Sequence, residues 1–97
     1  MTQFDLHRLG AGLVIDCQSD LFDHIVTRFI VPLVPAREAA IATHRLNPQF
    51  QIEGVAYVLV TQTAASVGRN ELGAVVTSLA AHSYEITGAI DVLTGGV

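Results

Sequence analysis

With 97 residues the chain has room for one domain and one compact core. Hydrophobic residues make up 51% of it and charged residues only 14%, which excludes a disordered chain and is apolar for a small monomer, so self-association is expected. The formal charge of -4, with five Arg and no Lys, provides no basic stripe for phosphates and excludes unaided nucleic-acid binding as an expectation.

Met1 to Gly10 carries Asp5, His7 and Arg8 where a signal peptide would be apolar, and the longest apolar run, Phe29 to Val34, is short and contains Pro32. A cytoplasmic protein without membrane association is expected. The single Cys17 excludes an internal disulfide framework and fits a reducing compartment.

In chain order, Phe4 to Arg8 and Leu13 to Gln18 alternate around Gly10 and Gly12 and predict a hairpin. Ile25 to Val34 is β-branched and aromatic. Because Pro32 lacks a ladder donor, this strand is expected to bend, bulge or run along an edge there. Pro35 to Leu46 has few large apolar residues and ends at Asn47-Pro48, which reads as loop. Phe50 to Glu53 and Val55 to Thr61 flank Glu53-Gly54, the strongest hairpin signal in the chain.

Leu72, Val75, Val76, Leu79, Ile86, Ile90 and Leu93 recur at helical spacing. One long helix fits them; the preferred reading is a loop or turn over Ser66 to Leu79 and a helix from about Ala81 to Thr94, stopped by Gly95-Gly96. Strands first and one helix last predict a mainly β fold, a small antiparallel barrel or half-open sheet carrying a C-terminal helix.

Chemistry-bearing residues are sparse. His7, His24, His44 and His82 have no metal-ligand spacing, and each reads as an exposed or capped histidine; neither metal nor cofactor is expected. Cys17 lies in an alternating strand and reads as core. Asp16, Asp20 and Asp23 lie close enough in sequence to serve as acid and base or to hold a divalent cation, but Asp16 and Asp20 flank Gln18-Ser19 at a strand end and read as turn carboxylates bonded to nearby backbone amides. With no nucleophile, phosphate cradle or triad ordering, no catalytic residue is assigned and the chain is expected not to be an enzyme. Asp91 to Val97 finishes the helix and stops, leaving a short tail expected to be flexible, with an apolar last side chain.

The run Ile15-Asp16-Cys17-Gln18-Ser19-Asp20-Leu21-Phe22-Asp23, followed by Thr27-Arg28-Phe29-Ile30-Val31-Pro32-Leu33, resembles the signature of CcdB-type toxins. Leu46-Asn47-Pro48, Leu59-Val60-Thr61 and Ala65-Ser66-Val67 keep that family's register, so the resemblance spans nearly the whole chain as one toxin domain, residues 1–97. It implies an SH3-like barrel with a small extra sheet and a C-terminal helix, paired as a homodimer. The dimer would bind and inhibit the A subunit of DNA gyrase, be neutralised by a cognate antitoxin, and meet operator DNA only together with that antitoxin.

By the same resemblance, gyrase contacts fall on Ser19, Leu21, Phe22, Asp91, Gly95, Gly96 and Val97. Gly95 and Asp91 depart from a member that carries tryptophan and asparagine at these positions, and an aromatic interface anchor is worth about 2 kcal/mol or more. Two alternatives stand beside this reading: a ribonuclease toxin on the same barrel, and an inactive homologue that only binds antitoxin.

Overall fold

The computed structural model describes residues 1–96. Seven strands, β1 (Asp5–Leu9), β2 (Gly12–Asp16), β3 (Thr27–Pro35), β4 (Gln49–Ile52), β5 (Val55–Leu59), β6 (Ala65–Gly68) and β7 (Val75–Ser78), precede one helix, α1 (Ser83–Leu93). All pairings are antiparallel, in the order β4-β5-β3-β2-β1-β7, with β6 paired to β3 off that path. The mainly β class with a C-terminal helix is therefore the observed one, a curled half-barrel with α1 packed on it.

Both expected hairpins form. Gly10 turns the first with φ +57. Glu53 and Gly54 turn the second with φ +51 and +81, the double left-handed geometry that matches the twist of two flanking strands. Phe50 and Ile52 of β4 then enter the core while Gln49 and Gln51 stay exposed, which is the period of two at work. Ala36–Glu38 makes a single 3-10 turn and the chain runs irregularly to the start of β4, as the composition of that loop predicts.

Pro32 sits in the centre of the sheet, not at its edge. On one side β3 pairs with β2; on the other it pairs with β6 through Thr27 to Ile30 and with β5 from Leu33 onward. Pro32 occupies the junction between those two partners, where no ladder donor is required, and its carbonyl still accepts from the Val60 N–H at 2.9 Å.

The loop expected over Ser66 to Leu79 is corrected. Ser66 to Gly68 belongs to β6 and Val75–Ser78 forms β7, which pairs with β1 across a register shift between Leu6 and His7. The helical spacing of Leu72, Val75, Val76 and Leu79 is coincidental, because tertiary pairing decides the state of a four-residue segment. The helix itself starts two residues later than expected, after a 3-10 turn over Ala80–His82, and presents Ile86 and Ala89 to a core of Leu6, Ile15, Val31, Leu33, Phe50, Ile52, Leu59 and Leu79. Burying Ile86 completely stabilises the docked helix by about 1.5–3 kcal/mol, enough to hold a helix too short to persist alone.

Glu53 holds a backbone conformation that asparagine adopts more readily. Glu53→Asn is expected to raise stability by about 0.5–1 kcal/mol, read as a higher urea midpoint at unchanged slope; a lower midpoint would contradict the turn assignment.

Candidate functional site

The Gln-Ser-Asp segment leaves β2 and forms a 3-10 turn over Asp20–Phe22. Ser19 Oγ accepts from the Leu21 N–H at 3.2 Å, and Gln18 clamps the turn, its Nε2 donating to the Phe22 carbonyl and its Oε1 accepting from Phe29 N–H, both at 2.9 Å. Asp20 accepts from the Gln3 N–H at 2.8 Å. So constrained, the turn holds Leu21 and Phe22 outward, at 83% and 50% exposure. Ile25, Val26 and Phe29 are also exposed nearby in sequence, giving this end of the molecule an apolar surface.

Beneath the turn lies an ion pair that local sequence patterns do not announce. Arg28 Nε and Nη2 donate to Asp16 Oδ2 at 3.0 and 2.7 Å, with both side chains fully buried. Asp16 Oδ1 also accepts from the Gln18 N–H, so the turn role expected for this carboxylate is real but secondary. Arg28 Nη1 reaches Asp23 at 3.3 Å; Asp23 in turn receives Arg69 on its carbonyl and lies 3.7 Å from the Met1 amine. The one signal for the pair in the sequence is an arginine alone inside an apolar strand, a few residues after three aspartates.

Cys17 is core, as expected: burial, reinforced by the neighbouring Asp16 charge, pushes its thiol up to about 12 from an ordinary 9.0. His7 departs from the exposed or capped reading. It is buried in β1, and its Nδ1 must donate to the Gly73 carbonyl at 3.1 Å, pinning the segment before β7. His82 lies against Phe50 with ring centroids 4.8 Å apart and planes tilted by 49°, and meets Glu85 at 3.2 Å, while His24 and His44 are exposed.

The remaining predicted contacts lie at the other end of the chain. Asp91 is exposed on α1. The tail is not loose as far as Gly96: Gly95 N–H donates to the Val92 carbonyl at 3.3 Å and Gly96 N–H to the Asp91 carbonyl at 2.7 Å, with Gly95 at φ +86. This pair of bonds around a left-handed glycine is a Schellman stop, which satisfies carbonyls the helix leaves open. Val97 lies outside the described residues. No hydrogen bond or ion pair among the described residues joins Ser19, Leu21 and Phe22 to Asp91, Gly95 and Gly96.

Asp91 also borders a groove of about 420 Å³, in which His44, Arg45 and Pro48 face Tyr84, Glu85, Thr87 and Gly88 of α1. It gathers an imidazole, a guanidinium, a phenol and two carboxylates. None of the described helices is long and apolar enough to cross a membrane.

The family model for the CcdB protein matches residues 3–96. No curated protein matches the chain. Among solved structures, an endoribonuclease in complex with its cognate antitoxin, from a mycobacterial species, aligns with TM-score 0.78 at 16% identity over 98% of this chain and 95% of its own. A mycobacterial endoribonuclease aligns with TM-score 0.77 at 17% identity over 98% and 91%, and an Mtb toxin with TM-score 0.71 at 9% identity over 95% and 99%. At these identities the likeness is one of fold. It corrects one expectation, that the chain is not an enzyme: the expectation rests on the lack of a recognisable catalytic motif, and two of the structures that share the fold are endoribonucleases, so a missing motif does not exclude catalysis here.

The buried groups make the site testable without any ligand. Arg28→Ala strands a buried carboxylate and is expected to cost about 3–5 kcal/mol in urea unfolding, whereas replacing Arg28 and Asp16 together by Met and Leu restores most of the loss; equal losses would show that the pair is not coupled. Native protein at pH 8 is expected to resist alkylation of Cys17 by iodoacetamide, with rapid labelling once unfolded. Because the thiol ionises near pH 9 in the unfolded chain and near 12 when folded, its contribution to stability is complete below pH 9 and falls as pH rises through that interval.

Proposed function

We propose, from the premise that the chain belongs to the CcdB family, that it is the toxin of a toxin–antitoxin pair. As a cytoplasmic homodimer of one 97-residue domain it binds and inhibits the A subunit of DNA gyrase, and a cognate antitoxin neutralises it and joins it on operator DNA. The observation that carries this reading is the rigid display of Leu21 and Phe22: two apolar side chains pushed into solvent on a turn clamped by Ser19 and Gln18. The turn's own bonds order its backbone before any partner arrives, and an apolar pair on pre-ordered backbone is what an interface anchor needs, since less conformational entropy remains to be lost on binding.

Ser19, Leu21 and Phe22 form the first contact surface, and Asp91, Gly95 and Gly96 with the terminal Val97 form the second. Two-fold pairing through the helix ends would set two copies of each surface on one particle, and a symmetric target would meet both. A ligand that holds one conformation of its target more tightly than the others shifts the target's population by that difference in affinity.

A second reading rests on the endoribonuclease likeness together with the α1 groove. Cleavage of RNA by its own 2′-hydroxyl needs a base for that proton, a cation for the phosphorane and an acid for the leaving oxygen, and His44, Arg45 and Glu85 are groups of those classes lining one groove.

Expression of the chain in bacteria separates the two. Gyrase inhibition predicts growth arrest with gyrase trapped on cleaved DNA, and Leu21→Asp or Phe22→Ala is expected to weaken binding to the purified A subunit of gyrase by roughly 30-fold, the equivalent of about 2 kcal/mol. Arrest with free gyrase and site-specific RNA breaks that His44→Ala abolishes would replace the first reading by the second.

A further inference from the structure

The curled sheet does not close. Its two outermost strands, β4 and β7, pair with β5 and β1 respectively and, among the described residues, with no strand on their other sides, yet Gln51 and Ile52 of β4, with Glu53 of the turn that follows it, line the same cleft as Val76, Thr77 and Ser78 of β7. This cleft, of about 440 Å³, is lined also by the buried Leu79, which with Ile52 gives it an apolar floor, and by Ala81 and His82 of the 3-10 turn before α1.

The phase of each ladder shows which backbone groups are free. Leu59 N–H donates to the Pro48 carbonyl at 2.9 Å, so with antiparallel alternation residues 48, 50 and 52 bond toward β5 and the amide and carbonyl of Gln51 point away from it. Leu79 N–H donates to the Phe4 carbonyl at 2.8 Å, so Leu79 and Thr77 bond toward β1 and the backbone groups of Ser78 point away. None of the four groups has a backbone partner among the described residues.

We propose that this cleft is a β-augmentation site that takes an extended segment of a partner polypeptide, paired on one side with Gln51 and on the other with Ser78. The two free edges call for a backbone in extended conformation, which alone supplies donors and acceptors in both directions. The apolar floor selects valine-sized residues at alternate positions of that segment. At the mouth, Glu53 has no ion-pair partner among the described residues and the chain is acidic overall, so a lysine or arginine on the segment completes the match. The site is separate from the Leu21 and Phe22 surface and does not depend on gyrase being the target.

The test is a titration of isotope-labelled protein, followed through its backbone amide signals, with an end-blocked peptide of about eight residues that alternates valine and threonine and carries a lysine at each end. Saturable shifts and slowed exchange at the Gln51 and Ser78 amides are expected. Gln51→Pro and Ser78→Pro each remove one outward donor while leaving the inner ladders intact, and each is expected to weaken binding tenfold or more. Should a proline variant fail to fold, Glu53→Lys carries the test: it weakens the lysine peptide and favours the same peptide with glutamate ends. Shifts confined to other residues, unchanged binding in these variants, or Gln51 and Ser78 signals that move with protein concentration alone, which would assign the cleft to a second copy, would each overturn the proposal.

Discussion

A fully buried guanidinium survives only if its charge and its donors are met, and in this chain that requirement organises one whole end of the molecule. Arg28 points from β3 onto Asp16 at the end of β2, so the pair crosses the β2–β3 ladder at the point where β2 ends. The same carboxylate accepts the Gln18 amide, the same guanidinium reaches Asp23, and between these anchors the chain has only enough length for a tight turn. Desolvating both ions is costly, and an apolar pair of similar volume would hold the strands as well. What the ions add is direction: one geometry satisfies them, and that geometry puts Leu21 and Phe22 outside.

Much of the sheet was legible because its residues repeat the signal that pairing requires. Glu53-Gly54 between alternating strands reads as a hairpin, and the backbone there has the two left-handed residues such a turn needs. Strand β7 was not legible, since Val75 and Val76 satisfy a helical period as well as they satisfy a short edge strand, and only the arrival of β1 alongside decides between them. Arg28 was invisible for a related reason. Its partner lies 12 residues away on another strand, and no local rule connects an arginine in an apolar run to an aspartate that already has a good explanation as a turn residue. Pro32 misled in part: of the bend, bulge or edge expected from its missing donor, the edge is not what the sheet shows, because a central strand can switch partners and leave one position without an obligation.

The acidic, lysine-free composition argues against broad contact with a phosphate backbone, and yet the fold is one that endoribonucleases share. The two observations are compatible. A barrel determines where strand ends and loops are held; it does not determine what they contact, so function has to be argued from the displayed residues. Here the displayed residues divide by chemistry. The turn after β2 offers apolar side chains backed by a rigid ion pair, which suits a protein surface. The groove on α1 offers titratable groups with exposed Tyr84 at its rim, which suits a polar ligand.

The end of the helix bears on how the second of the two proposed contact surfaces would work. A tail that frays would have to be ordered at the moment of binding, at a cost of about 1–2 kcal/mol for each backbone residue fixed. Gly95 and Gly96 are instead folded back onto Val92 and Asp91, with Gly95 in a conformation that a residue bearing a Cβ enters only with strain. A large aromatic at position 95 would add an anchor at the price of that stop, and glycine keeps the stop without the anchor. On the proposed reading, therefore, the helix end offers pre-ordered backbone, and Leu21 and Phe22, exposed on the turn that Arg28 and Asp16 hold in place, carry the apolar part of the recognition.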